Sequence, residues 1–349
     1  MTLEMPRYSV GPRGEYADRP LDMPWRGWWQ VLKRVKGEAA TDRVSIISAG
    51  ISYYCLLSIF PGIAMLIMLY GLVGDVAAAR AQIASFSGIL PEQAYEILIQ
   101  QLERLEAAPR SGLGLGLLFS FAVGIWSASR AVQALMIAMN AAYEEREHRG
   151  FIERNLVALA LTIGGICFFA LSITAIAAVP ARIASLHLGP GVTTALASLQ
   201  WAALFIAAVL ALALVYRFTP CRAPARFRWL LPGAVVATGL WLPSSLLFRF
   251  YVANFANFNE TFGSIGAVIV LLLWFYISAF AVCIGAELNA ELERQTYRDS
   301  TTGPIRPIGR RGAYVADSTA ESAAGTQRAG DRARRGEAEQ GVGSLPEPQ

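Results

Sequence analysis

The chain is poor in the residues that build metal-dependent catalytic sites. Its 349 residues include two histidines, His148 and His187, and four cysteines without a Cys-x-x-Cys pair. A metal-dependent nuclease needs histidine and carboxylate clusters to hold its ions and activate water, and the sequence has no HxHxD-like or DxD-like cluster. We therefore predict no catalytic residue, no metal site and no cofactor, and we interpret the cysteines as packing residues without a disulfide.

Charge is also scarce. Only 16% of the residues are charged and 54% are hydrophobic, whereas soluble domains carry roughly a quarter charged residues. This composition excludes an ordinary soluble domain and predicts an all-α integral membrane protein. The 30 Lys and Arg residues give a net charge of only +4. Their uneven placement indicates membrane orientation, and nucleic acid is not an expected partner.

Six apolar segments are long enough to cross a bilayer. The last, 264–286, has 23 residues without a charge, or ~34 Å of helix at ~1.5 Å per residue, against a hydrocarbon core of about 30 Å. The sequence therefore predicts a bundle of six transmembrane helices. The predicted spans are 46–72, 113–139, 156–179, 193–216, 230–251 and 264–286.

The spans divide the chain into four regions. We predict a disordered tail over 1–23, an amphipathic helix over 24–45, a transmembrane domain over 46–296 and a disordered tail over 297–349, because the tails lack apolar periodicity. In the amphipathic helix, tryptophans and aliphatic residues recur at helical spacing opposite Lys33, Arg34 and Lys36. That pattern predicts a helix on an anionic membrane surface, and an amphipathic helix packed on the protein itself is the alternative.

Lys and Arg alternate sharply between the connections. Residues 1–45 hold eight, 140–155 three, 217–229 four and 291–349 nine, whereas the three opposite connections hold three, one and none. Cytoplasmic loops carry the excess of these residues. We therefore predict a multi-pass protein of the bacterial plasma membrane with both termini in the cytoplasm.

Four ordered motifs resemble those of a known family. They are AGISYYCLLSIFP at 49–61, GIWSASRAVQALMIAMNAAY at 124–143, YRFTPCR at 216–222 and the stretch 251–294. Together they are similar to the YihY family of bacterial inner-membrane proteins, also called BrkB-type, over about residues 25–296. The resemblance implies a six-helix bundle and no settled activity. The family's old ribonuclease BN label finds no support in the residues, so we predict a protein that is not an enzyme.

Arg130 is the most costly residue within a predicted span, because a charge inside the bilayer must find a partner or reach the interface. Helix length places it in the cytoplasmic third of its span, at a depth similar to that of Glu287 and Glu291. Three alternatives stay open: the guanidinium reaches lipid phosphates, pairs with either glutamate, or contributes with them to an intramembrane substrate or proton site.

An asparagine-rich elbow precedes the last span. Asn254, Asn257 and Asn259 alternate with phenylalanines, and the following helix begins near Gly263. Such a helix start directs its positive dipole end at the elbow, which would suit an anionic head group. Asparagines in a tight turn also hydrogen-bond their own loop, and Glu260 would repel an anion. The elbow is therefore a candidate substrate site or a structural turn.

These features favour a transporter or flippase of an amphipathic, anionic lipid-like substrate, with membrane lipids as partners. A structural or scaffolding membrane protein is the alternative, and a membrane-bound hydrolase is the weakest of the three. A cavity that reaches the elbow would favour transport, and a solid bundle with ordered tails would favour the scaffold. The sequence does not indicate the substrate, the coupling ion or the oligomeric state.

Overall fold

The computed structural model describes residues 10–73, 99, 103, 110–186, 189–255 and 264–320. This part of the chain is helical, with one isolated antiparallel bridge between Ala225 and Thr301. A single 3₁₀ turn at Pro20–Asp22 precedes eight helices. They are α1 (Trp25–Thr41), α2 (Val44–Val73), α3 (Arg110–Ala142), α4 (Phe151–Ser185), α5 (Pro190–Phe218), α6 (Phe227–Phe255), α7 (Ser264–Gln295) and α8 (Tyr314–Asp317).

Five of these helices contain stretches long and apolar enough to cross a membrane. The stretches are Ala122–Ala142, Phe151–Pro180, Pro190–Phe218, Phe227–Val252 and Val268–Gln295. By the same measure α2 contributes only the shorter apolar segment Val44–Ser58. The all-helical membrane architecture is thus confirmed, with five helices of membrane-spanning length among the described residues. The sixth predicted span, 46–72, stays a prediction. The helices run beyond the predicted limits because their polar ends continue the helix past the apolar segment, as α7 does to Gln295.

The long helices pack around a ring in which each contacts the next, from α2 through α3, α4, α5, α6 and α7 back to α2. The seventh helix has the most neighbours, since α1, α3 and α8 also contact it. Its apolar side chains join the main core around Met139, Tyr143 and Tyr216. Among the described helices, α7 therefore joins the largest number of neighbours into one bundle.

Helices α6 and α7 cross at two glycines. A Cβ on Gly233 would lie 2.0 Å from the carbonyl oxygen of Gly285, so only glycine permits this approach. Asn289 of α7 accepts a hydrogen bond from Gly233 N at 2.8 Å and donates one to the Leu230 carbonyl at 3.0 Å. These bonds serve backbone groups next to Pro232, which interrupts the ladder of α6. The contact fixes the end of α7 against α6.

The first helix packs on the protein through one face and leaves the other exposed. Val31 and Val35 are buried in a cluster with Trp229, Leu288 and Leu292 of α6 and α7. On the opposite face, tryptophans and lysines are exposed, among them Trp25, Trp29 and Lys33. Packing on the protein, the alternative given for this segment, therefore describes one face of α1.

Residues 10–23 and 297–320, which belong to the two predicted tails, are among the described residues and fold against the bundle. The Glu15 carbonyl accepts a hydrogen bond from Tyr297 N at 2.7 Å, which joins the two segments. The guanidinium of Arg311 donates to the carbonyls of Tyr297 and Ala316, both at 2.7 Å. The Asp317 carboxylate accepts from three backbone amides. Polar side chains thus fold these segments without an apolar core of their own.

Packing is uneven along the bundle. We call the end that α1, α8 and residues 10–24 and 297–313 cover the capped end, and the opposite end the distal end. Among residues with described side chains, α4 to α7 bury many at the capped end and few toward the distal end. No such residue is buried in 163–182 of α4, 190–208 of α5, 239–252 of α6 or 267–278 of α7. The capped end is therefore the rigid part of the described structure.

Candidate functional site

Seven charged side chains meet at the capped end, and we call them the charged cluster. Most of them lie on two stripes that face each other. Arg34, Glu38 and Asp42 form one stripe along α1 and its C-terminal end, and the other stripe lies along α7. The packing of Val31 and Val35 presses α1 onto α7 and so holds the stripes in register. The members are Arg34, Glu38, Asp42, Glu144, Glu287, Glu291 and Arg294.

Glu291 lies at the centre of the cluster. Its carboxylate pairs with Nε of Arg34 and, at 2.8 Å, with Nη1 of Arg294. Arg34 also donates to Oε1 of Gln295 at 2.7 Å. Arg294 pairs in addition with Glu144 and lies 3.8 Å from Glu38. The guanidiniums of Arg34 and Arg294 are thus both paired with carboxylates. These charge-assisted hydrogen bonds join α1, α3 and α7.

Glu287 lies one turn before Glu291 and makes no hydrogen bond with an arginine of the described residues. Its side chain is buried, and Oε1 has no hydrogen-bond partner among the described residues. Asp42, the residue that follows α1, is one of its electrostatic neighbours. Burial, followed by the nearby charges of Glu38 and Glu144, raises the pKa of Asp42 to about 6. Asp42 therefore keeps its proton to a higher pH than an exposed aspartate does.

Two residues at the edge of the cluster adopt left-handed backbone conformations. Arg43, between α1 and α2, has a φ of 53°, and Glu144, after α3, has a φ of 51°. Such conformations are uncommon for residues other than glycine. The turn at Glu144 brings its carboxylate to Arg294, and the turn at Arg43 lets α2 start beside Asp42.

A second buried ion pair stands next to the cluster. Arg222, from the loop between α5 and α6, donates two hydrogen bonds to the Glu293 carboxylate at 3.2 and 2.7 Å. The side chains are 2% and 0% exposed. Ser300 Oγ donates to the same carboxylate at 2.6 Å, and the Arg222 guanidinium lies 4.9 Å from the ring centre of Tyr143. This pair ties the capping segment 297–313 to α7.

Arg130 does not join the cluster. Its guanidinium lies 4.6 Å from the ring centre of Trp126 and donates to Gln133 at 3.3 Å, on an exposed face of α3. The pair with Glu287 or Glu291, one of the three alternatives, is not formed, because equal depth in the bilayer does not fix which way a side chain points around the helix. Arg34 occupies the place beside Glu291 instead.

The asparagine elbow lies almost entirely outside the described residues. Asn257 and Asn259 lie outside the described residues, and only the backbone of Asn254 is described, in the last turn of α6. Whether these side chains close a turn or bind a head group stays a prediction. The six candidate residues thus divide into two within the charged cluster, one away from it and three at the elbow.

The cluster offers proton and ion chemistry rather than nucleophilic catalysis. Five carboxyl groups face two guanidiniums, so it carries an excess of negative charge unless protons are bound. No group of three or more His, Cys, Asp or Glu side chains that could hold a metal ion occurs in the described part of the chain. The sequence analysis missed Arg34, Glu38 and Asp42 as site residues. Their i, i+4, i+8 spacing, together with the i, i+4, i+7 spacing of Glu287, Glu291 and Arg294, was the available signal.

Comparison with known proteins gives a consistent result. The family model described as "Virulence factor BrkB" matches residues 35–307. The protein YfkH of Bacillus subtilis, which is named as ribonuclease-like, is 32% identical over 257 residues, or 71% of this chain and 90% of that protein. A UPF0761 membrane protein of Idiomarina loihiensis is 24% identical over 260 residues, or 72% of this chain and 87% of that protein.

One further relative matches over a short segment only. A UPF0761 membrane protein of Xanthomonas campestris is 36% identical over 85 residues, which make up 24% of this chain and only 20% of that protein. No solved structure matches the chain.

Proposed function

The chain belongs to the virulence factor BrkB family of membrane proteins, and we propose that it binds and moves an amphipathic, anionic lipid-like substrate within the bilayer. The packing difference along the bundle is the observation that carries the proposal. Over their distal halves, α4 and α5 bury no described side chain on any face apart from Ile183 near the end of α4. Helices that pack so loosely leave apolar space that acyl chains can fill.

The capped end supplies the complementary polar features. It holds arginines at the ends of the helices, including Arg217 and Arg226 beside the start of α6. An amphipathic anion has an apolar part that suits the distal half and a charged part that suits such basic residues. The elbow at 254–259, at the other membrane face, is the second polar site that a transported head group would meet.

We propose six spans in the bacterial plasma membrane with both termini in the cytoplasm, so that α2 is the first span and the capped end faces the cytoplasm. Single cysteines, introduced after removal of the native four, test this arrangement. Positions near His148, Arg226 and Thr302 should label from the cytoplasm only, and positions near Glu92, His187 and Asn257 from outside. Labelling of the capping segment from outside would contradict the topology.

The exposed face of α1 is proposed to lie on the membrane surface. Trp25 and Trp29 are exposed, and Nζ of Lys33 lies 5.4 Å from the ring centre of Trp29. Indole rings favour the bilayer interface, and the lysines favour anionic head groups. No enzymatic step enters this proposal, and the ribonuclease-like name of one relative is not carried over.

A lipid transfer assay with two adjacent glycines tests the proposal. Gly165 continues the stripe of Ala158 and Thr162 along α4, whereas Gly164 is turned away from it by about 100°. A Cβ at either position would meet no atom within 4 Å, so we expect both substitutions to Leu to preserve folding, which thermal melts of the two variants check. In vesicles with a fluorescent anionic lipid, the parent should accelerate transfer between leaflets. Gly165→Leu should slow this transfer more than Gly164→Leu.

Equal rates for the two variants would contradict the proposed path. Native mass spectrometry of the gently purified parent adds an independent measurement, and a co-purifying anionic lipid is the expected result. A scaffolding role is the second candidate, favoured by the ordered capping segment with Asp299 and Arg311. That role predicts no transfer by the parent protein in the same vesicles.

A further inference from the structure

One loop of the capping segment presents both apolar and basic side chains on the protein surface. Every residue of 302–310, with the sequence TGPIRPIGR, is exposed. Ile305 is 75% exposed and Ile308 is 45% exposed. Arg306 and Arg310 are the charged residues of the loop, whose sequence contains no acidic side chain. Neighbouring large apolar side chains on a surface indicate a site of interaction.

The loop is attached to the connection between two neighbouring spans. Residues 219–226 join α5 and α6, both of membrane-spanning length, and therefore lie at one face of the bilayer. Backbone hydrogen bonds tie both ends of the loop to this connection. Thr302 N donates to the Pro224 carbonyl, and Ala223 N donates to the Gly312 carbonyl, both at 2.9 Å. The loop thus begins and ends at the level where α6 enters the bilayer.

The side chains at this level and the length of the loop fit contact with head groups. Phe227, the first residue of α6, is 42% exposed, and the Arg217 guanidinium lies 4.8 Å from its ring centre. Arginines near helix ends extend toward the lipid head groups. Half of a nine-residue loop reaches at most ~15 Å at ~3.3 Å per residue. This distance exceeds the thickness of one head-group layer, about 5–8 Å.

Hydrogen bonds hold the loop in one conformation. Asp299 accepts from Arg306 N at 2.9 Å, and Asp317 accepts from Gly309 N at 2.7 Å. Nε of Arg311 donates to the Arg306 carbonyl at 3.2 Å. Both backbone groups of Arg306 are therefore occupied, whereas the proline-rich peptides that protein domains bind have an extended, solvated backbone. The conformation favours a partner that contacts side chains alone.

We propose that loop 302–310 docks on the anionic surface of the bilayer beside α6, with Ile305 and Ile308 among the head groups and Arg306 and Arg310 on lipid phosphates. Aliphatic side chains gain from burial at the boundary between head groups and acyl chains, and guanidiniums bind phosphate with paired donors. Two positive charges without a negative one complement an anionic surface. The inference requires that α5 and α6 cross the membrane and does not depend on lipid transfer.

Fluorescence quenching of the full chain in nanodiscs tests the docking. In a background without the four native cysteines, an NBD probe is attached to Ile305→Cys or Ile308→Cys, and lipids with a nitroxide on a shallow acyl carbon act as quenchers. We expect strong quenching at both positions in discs that contain phosphatidylglycerol. Quenching should be weaker in phosphatidylcholine alone and at high salt, since salt screens exposed charges.

Charge variants provide the matched control. Arg306→Gln and Arg310→Gln should each lower the quenching of the probe at 305 in anionic discs, because an arginine near an anionic leaflet contributes a roughly fivefold preference for the bound position. Arg146→Gln removes the same charge from an exposed side chain between α3 and α4 and should leave the quenching unchanged. Thermal melts check that all three variants keep the fold.

Absence of quenching at both probe positions in anionic discs would overturn the proposal. Equal losses in Arg146→Gln and in the two loop variants would also overturn it, because the overall charge of the protein would then be responsible. Shielding of the probe by added cytosolic extract, without quenching by lipid, would overturn it in favour of a protein partner. None of these measurements follows lipid transfer, so failure of the proposed function leaves their outcome unaffected.

Discussion

The two ends of the bundle are built from the same helices and differ in almost every physical respect. At the capped end, Trp229, Leu230 and Leu292 are fully buried, and ion pairs link α1, α3, α7 and the capping segment. Toward the distal end, α4 and α5 present large apolar side chains such as Phe169, Leu199 and Trp201 on their surfaces. Ion pairs hold the helices together at the capped end, whereas the distal end presents an apolar surface.

This difference assigns separate tasks to the two halves. Buried, hydrogen-bonded charges fix side chains in single positions, since any displacement leaves a charge without a partner. Apolar helices in lipid gain little from packing against each other, because acyl chains are as apolar as leucine. The capped end therefore determines the arrangement of the helices, and the distal end is free to accommodate lipid.

The largest expected effect comes from breaking the buried ion pair of the capped end. Arg222→Ala leaves the Glu293 carboxylate buried with Ser300 as its one remaining side-chain donor among the described residues, so the free energy of unfolding should fall by about 3–5 kcal/mol. Thermal unfolding in nanodiscs measures the change. The distal control, Leu199→Ala, removes a mostly exposed side chain and should change stability by about 0.5 kcal/mol or less. A comparable loss in both variants would remove the contrast between the ends.

The glycines give the next largest contrast. In Gly285→Ala the new Cβ would lie 2.4 Å from Tyr216 Oη and 2.6 Å from the Gly233 carbonyl oxygen, so overpacking should cost about 1–3 kcal/mol. In Gly164→Ala the Cβ meets open space, and the better helix propensity of alanine should add about 0.5–1 kcal/mol. Melting temperatures should therefore move in opposite directions. A gain in both variants would show that the α6–α7 crossing is not close-packed.

The pH dependence of stability should be smaller and confined to the capped end. The pKa of Asp42, raised to about 6 by burial and by Glu38 and Glu144, lies above that of the unfolded chain, so the folded protein holds its proton longer. Stability should fall as the pH rises from about 4 to about 6 and then level off. Asp42→Asn should flatten this slope in pH-resolved thermal melts. Asp18→Asn, at an exposed carboxylate, should leave it unchanged.

The smallest effect is expected at Arg130. Its contacts, the Trp126 ring and Gln133, lie on an exposed helix face, so Arg130→Ala should lower stability by about 0.5–1 kcal/mol. Because Arg130 and Glu287 are not in contact, a double-mutant cycle with Glu287→Ala should be additive within about 0.5 kcal/mol. A larger coupling energy would indicate an interaction between Arg130 and Glu287, as their similar depth in the bilayer suggested.

The sequence was informative where local patterns decide the structure. Apolar length predicted the positions of the long helices, and the periodicity of α1 predicted its amphipathic character. It was uninformative where distant residues decide: Arg311 orders the capping segment through carbonyls that only the fold brings within reach. Depth along a helix placed Glu291 near a cation, but the direction of the side chain selected Arg34 rather than Arg130.

The candidate site was therefore predicted in part. Glu287 and Glu291 were identified from their position at the end of an apolar span, where an ionisable residue is costly. Their partners on α1 were not, because the cationic stripe there was interpreted as facing lipid. Arg34 shows that this stripe does not face lipid alone, since its guanidinium turns from the lysine face toward Glu291.

Oxygen accessibility of a spin label at two positions on one face of α4 tests the central contrast most directly. Ala158 is 0% exposed at the capped end, and Gly165, two turns further along the same stripe, has open space at its Cβ. In a background without the four native cysteines, nitroxides are attached at 158 or 165 in nanodiscs. Molecular oxygen concentrates among acyl chains, so we predict high oxygen accessibility at 165 and low accessibility at 158. Low accessibility at both positions would contradict a lipid-filled distal half.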